Sequence, residues 1–471
     1  MKEERCEGKI MIVKAVMVPH PPLAVHEIGM GREYEIQDTL DAYTQACREI
    51  ADAKPETVIV LSPHAIMYRD YFQISSGKEG RGSFRQFHAG QVKFRKEYDQ
   101  VFTETLSRNL EEEGIAGGTD YDREPQLDHG TMVPLYFLDP LYTDYKLVRI
   151  GLSGQPLSEH YRFGQVIAKT AEQLGRRVAV IASGDLSHCQ KEDGPYGLDP
   201  AGPEYDEKIM RTMGSAAFGE LLEYSPEFLH QAQECGHRAF VILAGILDGM
   251  RVTPHVLSHE ATFGVGYGIV TYDIDGTDEN RRFLQKYEEE QLARLEQKTA
   301  DSDAYVKLAR ASVERWVRTR TVLPIPRDLP EEMLEKQAGV FVSLHMHGDL
   351  RGCIGTILPV QDCIAEEIIR NGISACARDP RFSPVTVNEL PWLEISVDVL
   401  TEPERIPDET YLDVRKYGVI CTCRGRRGLL LPDLEGVDTI AEQISIACRK
   451  GGIDPADDDL VLERFEVIRH V

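Results

Sequence analysis

Long hydrophobic runs are missing from this sequence. No stretch of the 471 residues approaches the roughly eighteen consecutive apolar residues that a membrane-spanning helix needs. The first residues, Met-Lys-Glu-Glu-Arg-Cys-Glu-Gly-Lys, are charged and hold no apolar core of a secretory signal. We therefore expect a protein that neither spans a membrane nor carries a secretion signal.

Cysteine pairs with metal- or cluster-binding spacing are also missing. The ten cysteines include no C-x-x-C pair and no C-x-x-x-C-x-x-C triplet, so neither a zinc ribbon nor a radical-SAM cluster of its own is expected. The only close pair is Cys421 and Cys423, whose side chains would share one face of a strand. Scattered cysteines in a chain of this length are typical of a reduced, cytoplasmic protein.

Positive charge is scarce. The chain holds 53 Lys and Arg against 78 Asp and Glu, which gives a formal net charge of −25. Because a phosphate backbone attracts a basic surface, this balance argues against a nucleic-acid partner. Hydrophobic residues at 42% and charged residues at 28% are ordinary for a globular protein, and the length favours two domains.

The first 275 residues alternate β-branched apolar runs with helical segments. Predicted strands are 13–18, 57–61, 146–150, 177–181 and 264–272, and predicted helices are 36–53, 98–113, 159–174, 205–214 and 239–247. This alternation predicts an α/β domain over residues 11–275, with a sheet that carries helices on both faces.

A charged helical connector is predicted for residues 276–300, where acidic and basic residues recur four apart. Further strands are predicted at 339–345, 393–400, 418–423 and 427–431, and an amphipathic helix at 438–450. These elements predict a second domain, of the α+β class, over residues 301–471.

Three predicted strands are followed by a histidine. Val-Met-Val-Pro-His ends at His20, Val-Leu-Ser-Pro-His at His64, and Ala-Ser-Gly-Asp-Leu-Ser-His at His188. Ligands of an open α/β sheet bind beyond the carboxyl ends of its strands, so parallel pairing would bring these imidazoles together. A fourth histidine, His129, precedes the run 132–138, which is either helical or extended.

Each histidine also has an ordinary interpretation, as a structural or solvated residue. Prolines at 19, 21, 22 and 63 fix φ beside His20 and His64. Stiff turns suit a rigid ligand, and they equally suit plain strand termination. The repetition of the pattern favours a functional cluster.

Two neutral imidazoles with one anionic ligand and open positions suit non-haem Fe(II) and dioxygen chemistry. Glu234 and Cys235 are the anionic candidates, because they precede a helix whose N-terminus would stabilise a carboxylate or a thiolate. A thiolate would also admit zinc or copper. The ordinary alternative is a helix-start acid beside a small core cysteine. Glu260 is a weaker third candidate.

Together these motifs resemble the class III extradiol ring-cleavage dioxygenases (LigB type) and the related Memo family. The matching pieces are Pro-His-Pro-Pro at 19–22, Ser-Pro-His at 62–64, Asp-His-Gly at 128–130, Ser-Gly-Asp-Leu-Ser-His at 183–188 and Glu-Cys-Gly at 234–236. The resemblance implies His20 and His64 as metal ligands. It implies a third metal ligand, which is either Glu234, as in the dioxygenases, or Cys235, at the Memo-type position. His129 and His188 would be acid/base residues or supports of the ligands.

The C-terminal part, residues 301–471, resembles the AMMECR-type domain. The matching pieces are Gly-Val-Phe-Val-Ser-Leu at 339–344, Leu-Arg-Gly-Cys-Ile-Gly-Thr at 350–356, Arg-Asp-Pro-Arg-Phe at 378–382, Leu-Glu-Ile-Ser-Val-Asp-Val-Leu at 393–400 and Val-Asp-Thr-Ile-Ala-Glu-Gln at 437–443. Cys353 is expected in a glycine-flanked turn, where the nearby Arg351 would activate its thiol, or else as a plain buried cysteine. His345 and His347 would alternate on one strand face, as metal ligands or as packed residues.

The resemblance implies an oxidoreductase in which Fe(II), held by His20, His64 and Glu234, binds a catechol-like diol and dioxygen. His188 would deprotonate the substrate hydroxyl, and His129 would protonate or stabilise the oxygenated intermediate. The alternative is a non-catalytic metal-binding or interaction protein. The two domain types occur with a radical-SAM protein in the AmmeMemoRadiSam grouping, which implies such a partner. Thiol chemistry at Cys353 is a third possibility.

Overall fold

The computed structural model describes residues 10–121, 126–434, 436–457 and 459–471. Contacts divide the chain into two units, one ending at Glu288 and one running from Glu289 to Val471. The division falls inside the stretch 276–300 for which the sequence predicts a connector. No helix in the described ranges combines the length and the hydropathy that crossing a bilayer requires.

The first unit contains ten strands and eight helices within the described residues. The strands are β1 (Ile12–Val18), β2 (Thr57–Ser62), β3 (Phe72–Gln73), β4 (Glu79–Phe84), β5 (Ala89–Glu97), β6 (Gly117–Gly118), β7 (Lys146–Gly151), β8 (Val178–Ser183), β9 (Met250–Glu260) and β10 (Tyr267–Thr277). The helices are α1 (His26–Gly29), α2 (Gln37–Ala53), α3 (Gln100–Glu112), α4 (His129–Leu138), α5 (Leu157–Leu174), α6 (Ala201–Ser215), α7 (Pro226–Ala232) and α8 (His237–Ile246). Helix α9 (Phe283–Asp301) crosses the division between the units.

A six-stranded sheet forms the centre of this unit, in the order β7-β2-β8-β1-β10-β9. The four strands β7, β2, β8 and β1 are parallel, and β10 and β9 extend the sheet in antiparallel fashion. The carboxyl ends of the four parallel strands therefore lie side by side. We call this row of strand ends the rim. Val18 pairs with Ser183, so β1 and β8 end at the same level.

Successive residues of these strands enter two different hydrophobic clusters. Ile59 and Leu61 pack with helices α3, α5, α6 and α8, whereas Val58 and Val60 pack with α2 and α4. Because side chains alternate across a strand, both faces of the sheet are covered. The α/β class with helices on both faces is confirmed.

The second unit has an α+β architecture. Its helices are α10 (Ala304–Thr319), α11 (Glu331–Glu335), α12 (Ile364–Ala377) and α13 (Ile440–Gly451). Its strands are β11 (Val340–Met346), β12 (Asp349–Gly355), β13 (Leu393–Leu400), β14 (Glu404–Ile406), β15 (Gly418–Cys423), β16 (Arg426–Leu430), β17 (Val461–Phe465) and β18 (Val467–His470). They form two antiparallel sheets, β12-β11-β13-β18 and β14-β17-β15-β16.

One hydrophobic cluster joins the first of these sheets to α10 and α12, and another joins the second sheet to α13. Cys421 and Cys423 share one buried face beneath α13, as their spacing predicts. The run 132–138 is helical and belongs to α4, which begins at His129.

Candidate metal centre

The histidines at the ends of β1 and β2 converge at the rim. His20 Nε2 lies 3.0 Å from His64 Nε2, and Cys235 Sγ lies 3.6 Å from His20 Nε2. His20 and Cys235 are 215 residues apart in the chain, so the sheet topology brings them together. The structure places these two histidines side by side, at the ends of parallel strands.

The tautomer of His20 follows from its hydrogen bonds. Its Nδ1 lies 2.9 Å from Ser183 Oγ, and Ser183 Oγ donates to the Gly130 carbonyl at 2.6 Å. A serine hydroxyl has a single proton, so Ser183 must accept from His20 Nδ1–H. The Nε2 of His20 therefore presents its lone pair to His64 and Cys235, as a ligand nitrogen must.

Burial decides the charge of the imidazoles. Desolvation is the largest cause that lowers the pKa of His20 well below its ordinary value, and the neighbouring His64 lowers it further. Desolvation also lowers the pKa of His64, against the opposing charges of Asp128 and Asp185. Both rings are neutral near pH 7 and free to bind a cation.

Cys235 is held at the turn before α8. Its Sγ accepts a hydrogen bond from Asp185 N at 3.3 Å and lies 3.7 Å from the Asp185 carbonyl. Burial raises the pKa of the Cys235 thiol well above its ordinary value, and the carboxylates of Asp185 and Glu234 raise it further. Without a cation the thiol is therefore neutral.

Glu234 and Glu260 do not join this group. Glu234 Oε2 accepts a hydrogen bond from His237 N at 2.6 Å, at the start of α8. Glu260 Oε2 accepts from the backbone N–H and the hydroxyl of Thr39, at 2.7 and 2.5 Å. Both carboxylates satisfy donors of nearby helices, which is the ordinary role of an acid beside a helix start.

His129 stands beside the two rim histidines as the first residue of α4. Its ring centroid lies 4.0 Å from that of His64 and 5.4 Å from that of His20. Asp128 caps this helix by accepting from Thr131 N at 3.0 Å, which fixes the turn that carries His129. Burial and the two neighbouring imidazoles lower the pKa of His129 to about 3.

His188 belongs to a second group of candidate ligand residues that also contains Cys235. Its Nδ1 donates to the Gln233 carbonyl, so its Nε2 is the nitrogen that carries the lone pair. A ligand nitrogen of His188, a carboxylate oxygen of Asp185 and Cys235 Sγ lie within 4.8 Å of one another. All four histidines predicted from the sequence thus lie around Cys235 or His64.

Sequence reasoning missed Asp185 and Ser183. Asp185 is 7% exposed, and its Oδ1 accepts from His20 N at 2.7 Å. Both residues lie inside the motif Ser-Gly-Asp-Leu-Ser-His, of which only the histidine was predicted to be functional. Two polar residues at the end of a wholly apolar strand are the signal that could have identified them.

The donor set fits a transition metal. His20, His64 and Cys235 each offer a ligand atom within 4.8 Å of the others. With bonds of about 2.0 Å to nitrogen and about 2.3 Å to sulfur, two ligand atoms of one tetrahedral ion stand about 3.3 to 3.6 Å apart. The observed separations of 3.0 and 3.6 Å are close to these values. Two imidazoles and a thiol suit zinc, copper or iron.

In the second unit, Cys353 lies within strand β12 and not in a turn, which corrects the sequence expectation. Ser343 on the paired strand donates to Cys353 Sγ at 3.2 Å. Arg351 Nε donates to Glu389 at 2.7 Å, so its charge is paired with that carboxylate. The turn expectation failed because Gly352 and Gly355 lie in the strand, where close neighbours leave no room for a Cβ.

The expectation for His345 and His347 is also wrong in part. His345 lies on β11, whereas His347 follows the strand in a turn with φ of 54°. The two side chains therefore do not alternate on one strand face. Neither belongs to a group of three or more candidate ligand residues in the described ranges.

Residues 14–270 match the family model described as the catalytic LigB subunit of aromatic ring-opening dioxygenase, and residues 306–470 match the AMMECR1 model. Protein CA_C1420 of Clostridium acetobutylicum is 41% identical over 464 residues, covering 96% of this chain and 98% of its own length.

Two shorter relatives align with about a third of the chain. A protein of Thermotoga maritima is 48% identical over 167 residues, covering 35% of this chain and 96% of its own length. The crystal structure of the uncharacterized protein PH0010 from Pyrococcus horikoshii is 32% identical with a TM-score of 0.33, covering 35% of this chain and 88% of that one.

Proposed function

Because this chain belongs to the family of the catalytic LigB subunit of aromatic ring-opening dioxygenase, here joined to an AMMECR1 domain, we propose that its first unit is a non-haem iron oxidoreductase. Its substrate would be a catechol-like diol that is opened with dioxygen. The observation that carries the proposal is the convergence of His20 Nε2, His64 Nε2 and Cys235 Sγ at the rim.

In this proposal Cys235, and not Glu234, supplies the anionic ligand. The Glu234 carboxylate is engaged by His237 N at 2.6 Å, whereas Cys235 Sγ faces His20 at 3.6 Å. A positive ion would favour the thiolate over the thiol, which offsets the cost of burying that charge. Bound Fe(II) would supply the Lewis acid that holds the diol oxygens and the electron that activates dioxygen.

The protein's own residues would manage the protons. His188 Nδ1 donates to the Gln233 carbonyl, so its Nε2 is available to accept a proton from a diol hydroxyl. His129, neutral near pH 7 because burial lowers its pKa to about 3, keeps one N–H to donate to a bound oxygen. Phe87 packs against the His129 ring with centroids 5.4 Å apart and shields it from water on that side.

The test is anaerobic purification of the full chain, metal analysis, and assays of catechol and protocatechuate cleavage. We expect iron to bind in stoichiometric amount and ring-opened product to form only with iron and dioxygen. His20→Ala combined with His64→Ala should abolish turnover and lower the amount of bound iron, while His255→Ala, a histidine paired with Asp273, should change neither. Folded protein that binds no iron, or binds it equally well in the double variant, would reject the proposal.

One observation favours a second candidate function. A thiolate ligand at Cys235 admits zinc or copper, which carry no extradiol chemistry. We propose as the alternative a metal-binding protein that acts with a radical-SAM partner. Binding of Zn²⁺ or Cu⁺ in preference to Fe²⁺, with no diol turnover and a stable complex with a purified radical-SAM protein, would support it. Turnover of a diol by the iron-loaded chain would exclude it.

A further inference from the structure

We propose that Cys235 is shared by two neighbouring metal positions, and that Asp185 and His188 complete the second. The first position is the one formed by His20, His64 and Cys235, so the inference rests on the proposed function for that half of the pair. The second position involves residues from the turn after β8, which the first does not use.

The candidate ligand atoms of the second position lie as close together as those of the first. One ligand atom from each of Asp185, His188 and Cys235 lies within 4.8 Å of the other two, as for His20, His64 and Cys235. The two groups have only the Cys235 sulfur in common. A thiolate sulfur has enough lone pairs to bind two cations at once, so the geometry supports a bridging ligand.

His188 is oriented as a metal-binding histidine usually is. Ligating imidazoles donate their second N–H to a carbonyl or carboxylate, which fixes the ring and the tautomer. His188 Nδ1 donates in this way to the Gln233 carbonyl at the end of α7. His20 has the matching arrangement toward Ser183 Oγ at 2.9 Å. The two positions therefore each contain a histidine with its ring fixed by a hydrogen bond.

Asp185 carries a buried carboxyl group for which the described residues supply no cation. It is 7% exposed, and no Lys or Arg forms an ion pair with it in the described part of the chain. Its Oδ1 accepts from His20 N at 2.7 Å, which leaves the other oxygen for a further partner. Burying a carboxylate without a compensating charge is costly, and a bound cation would remove that cost.

The pair of positions implies a regulatory consequence for the proposed reaction. A cation in the second position would bind the Nε2 lone pair of His188, which the proposed function uses to accept the diol proton. One equivalent of metal would therefore activate the protein, and a second equivalent would inhibit it.

The experiment is an anaerobic calorimetric titration of the metal-free full chain with Zn²⁺, with a thiol-free reductant. Wild type should bind two equivalents. Asp185→Asn should bind one, because the amide keeps the acceptor for His20 N and removes the charge. His20→Ala combined with His64→Ala should also bind one, and His255→Ala should bind two as the control.

A second measurement uses Co²⁺, whose sulfur-to-metal charge-transfer absorption reports each bond to Cys235. In wild type this absorption should grow over both the first and the second equivalent. In His188→Gln and in Asp185→Asn it should saturate after one, with unchanged circular dichroism.

The outcomes separate the two proposals. A single equivalent in wild type that Asp185→Asn and His188→Gln leave intact would overturn the second position and leave the first standing. No binding by folded wild type would overturn both. Two equivalents that persist in Asp185→Asn and His188→Gln would place the second ion elsewhere and also overturn the inference.

Discussion

Gly184 and Gly236 approach each other so closely that a Cβ on Gly184 would stand 2.1 Å from the Gly236 Cα. The contact joins the turn after β8 to the turn before α8. These two turns carry Asp185, His188 and Cys235. Since a side chain at either glycine would separate the turns, the backbone contact sets the distance between the ligand candidates.

Gly184→Ala should therefore disturb the metal centre. The added methyl group meets backbone, which cannot rotate away, and overpacking of this kind costs about 1–3 kcal/mol of stability. We expect weaker Zn²⁺ binding together with a lower midpoint of thermal unfolding, measured by calorimetry. Gly90→Ala is the control, because its nearest neighbours are 3.6 Å away and both properties should stay near wild type. Undiminished Zn²⁺ affinity in Gly184→Ala would contradict this role of the contact.

The rim histidines could be predicted because the signal is local. His20 and His64 each come one proline after the end of a β-branched strand, and an open parallel sheet aligns such positions regardless of the loops between them. The predicted strands at 13–18 and 57–61 lie within the observed β1 and β2. The parallel arrangement of the two strands is enough to place these two residues at the rim.

The third ligand candidate could not be resolved from the sequence. Glu234 and Cys235 are adjacent, and which of them faces the histidines depends on the contact between Gly184 and Gly236, which are distant in the chain. The contribution of Asp185 has the same origin, since it contacts Cys235 only through that packing. Local patterns carry no information on such contacts.

Strand β9 was missed for a different reason. It lies at one edge of the sheet, and its exposed and buried residues do not alternate regularly. The strand contains Pro254, and its register with β10 shifts near Val256. Proline and bulges are features of edge strands, because they discourage pairing with other chains. They also disrupt the apolar alternation by which a strand is recognised in sequence.

Ser183→Ala should weaken metal binding without unfolding the protein. The hydroxyl fixes the His20 tautomer at 2.9 Å, and loss of such a partner typically costs about 10–100-fold in metal affinity. Calorimetry gives the affinity, and long-range ¹⁵N–¹H spectra of the histidine rings in the metal-free protein give the tautomer. Ser312→Ala is the matched control, because its buried hydroxyl also donates to a carbonyl, that of Ile369, in the other unit. An unchanged tautomer and affinity in Ser183→Ala would refute the assignment.

Metal affinity should rise with pH. Burial raises the pKa of the Cys235 thiol, so near neutrality the ion must displace one proton from it. Burial lowers the pKa of His20 and His64, so these rings are already neutral and release none. One released proton strengthens Zn²⁺ binding by about tenfold per pH unit between pH 6 and pH 8. Cys235→Ala should bind more weakly and with a flat profile, and an equal slope in that variant would assign the proton to another group.

Asp379 and Arg381 protect the open edge of strand β12. Asp379 Oδ2 accepts from Cys353 N at 2.9 Å, and Arg381 donates to the Cys353 carbonyl at 3.0 Å and to Asp379 at 2.7 Å. The motif Arg-Asp-Pro-Arg-Phe thereby satisfies the backbone groups that an edge strand would expose. The motif is therefore in direct contact with Leu-Arg-Gly-Cys-Ile-Gly, to which Cys353 belongs.

Asp379→Asn should destabilise the second unit in a pH-dependent way. The hydrogen bond from Arg381 is the main cause that lowers the pKa of Asp379, so this stabilisation is complete above the unfolded pKa and disappears as pH falls through the folded one. Because Arg381 is half exposed, we expect a loss of about 1 kcal/mol at pH 7, shrinking below about pH 4. Urea unfolding followed by tryptophan fluorescence measures it, since Trp316 and Trp392 both lie in this unit. Asp349→Asn, at the exposed start of strand β12, should leave the unfolding midpoint unchanged. An equal loss of stability in both variants would disprove the role of the Asp379–Arg381 pair.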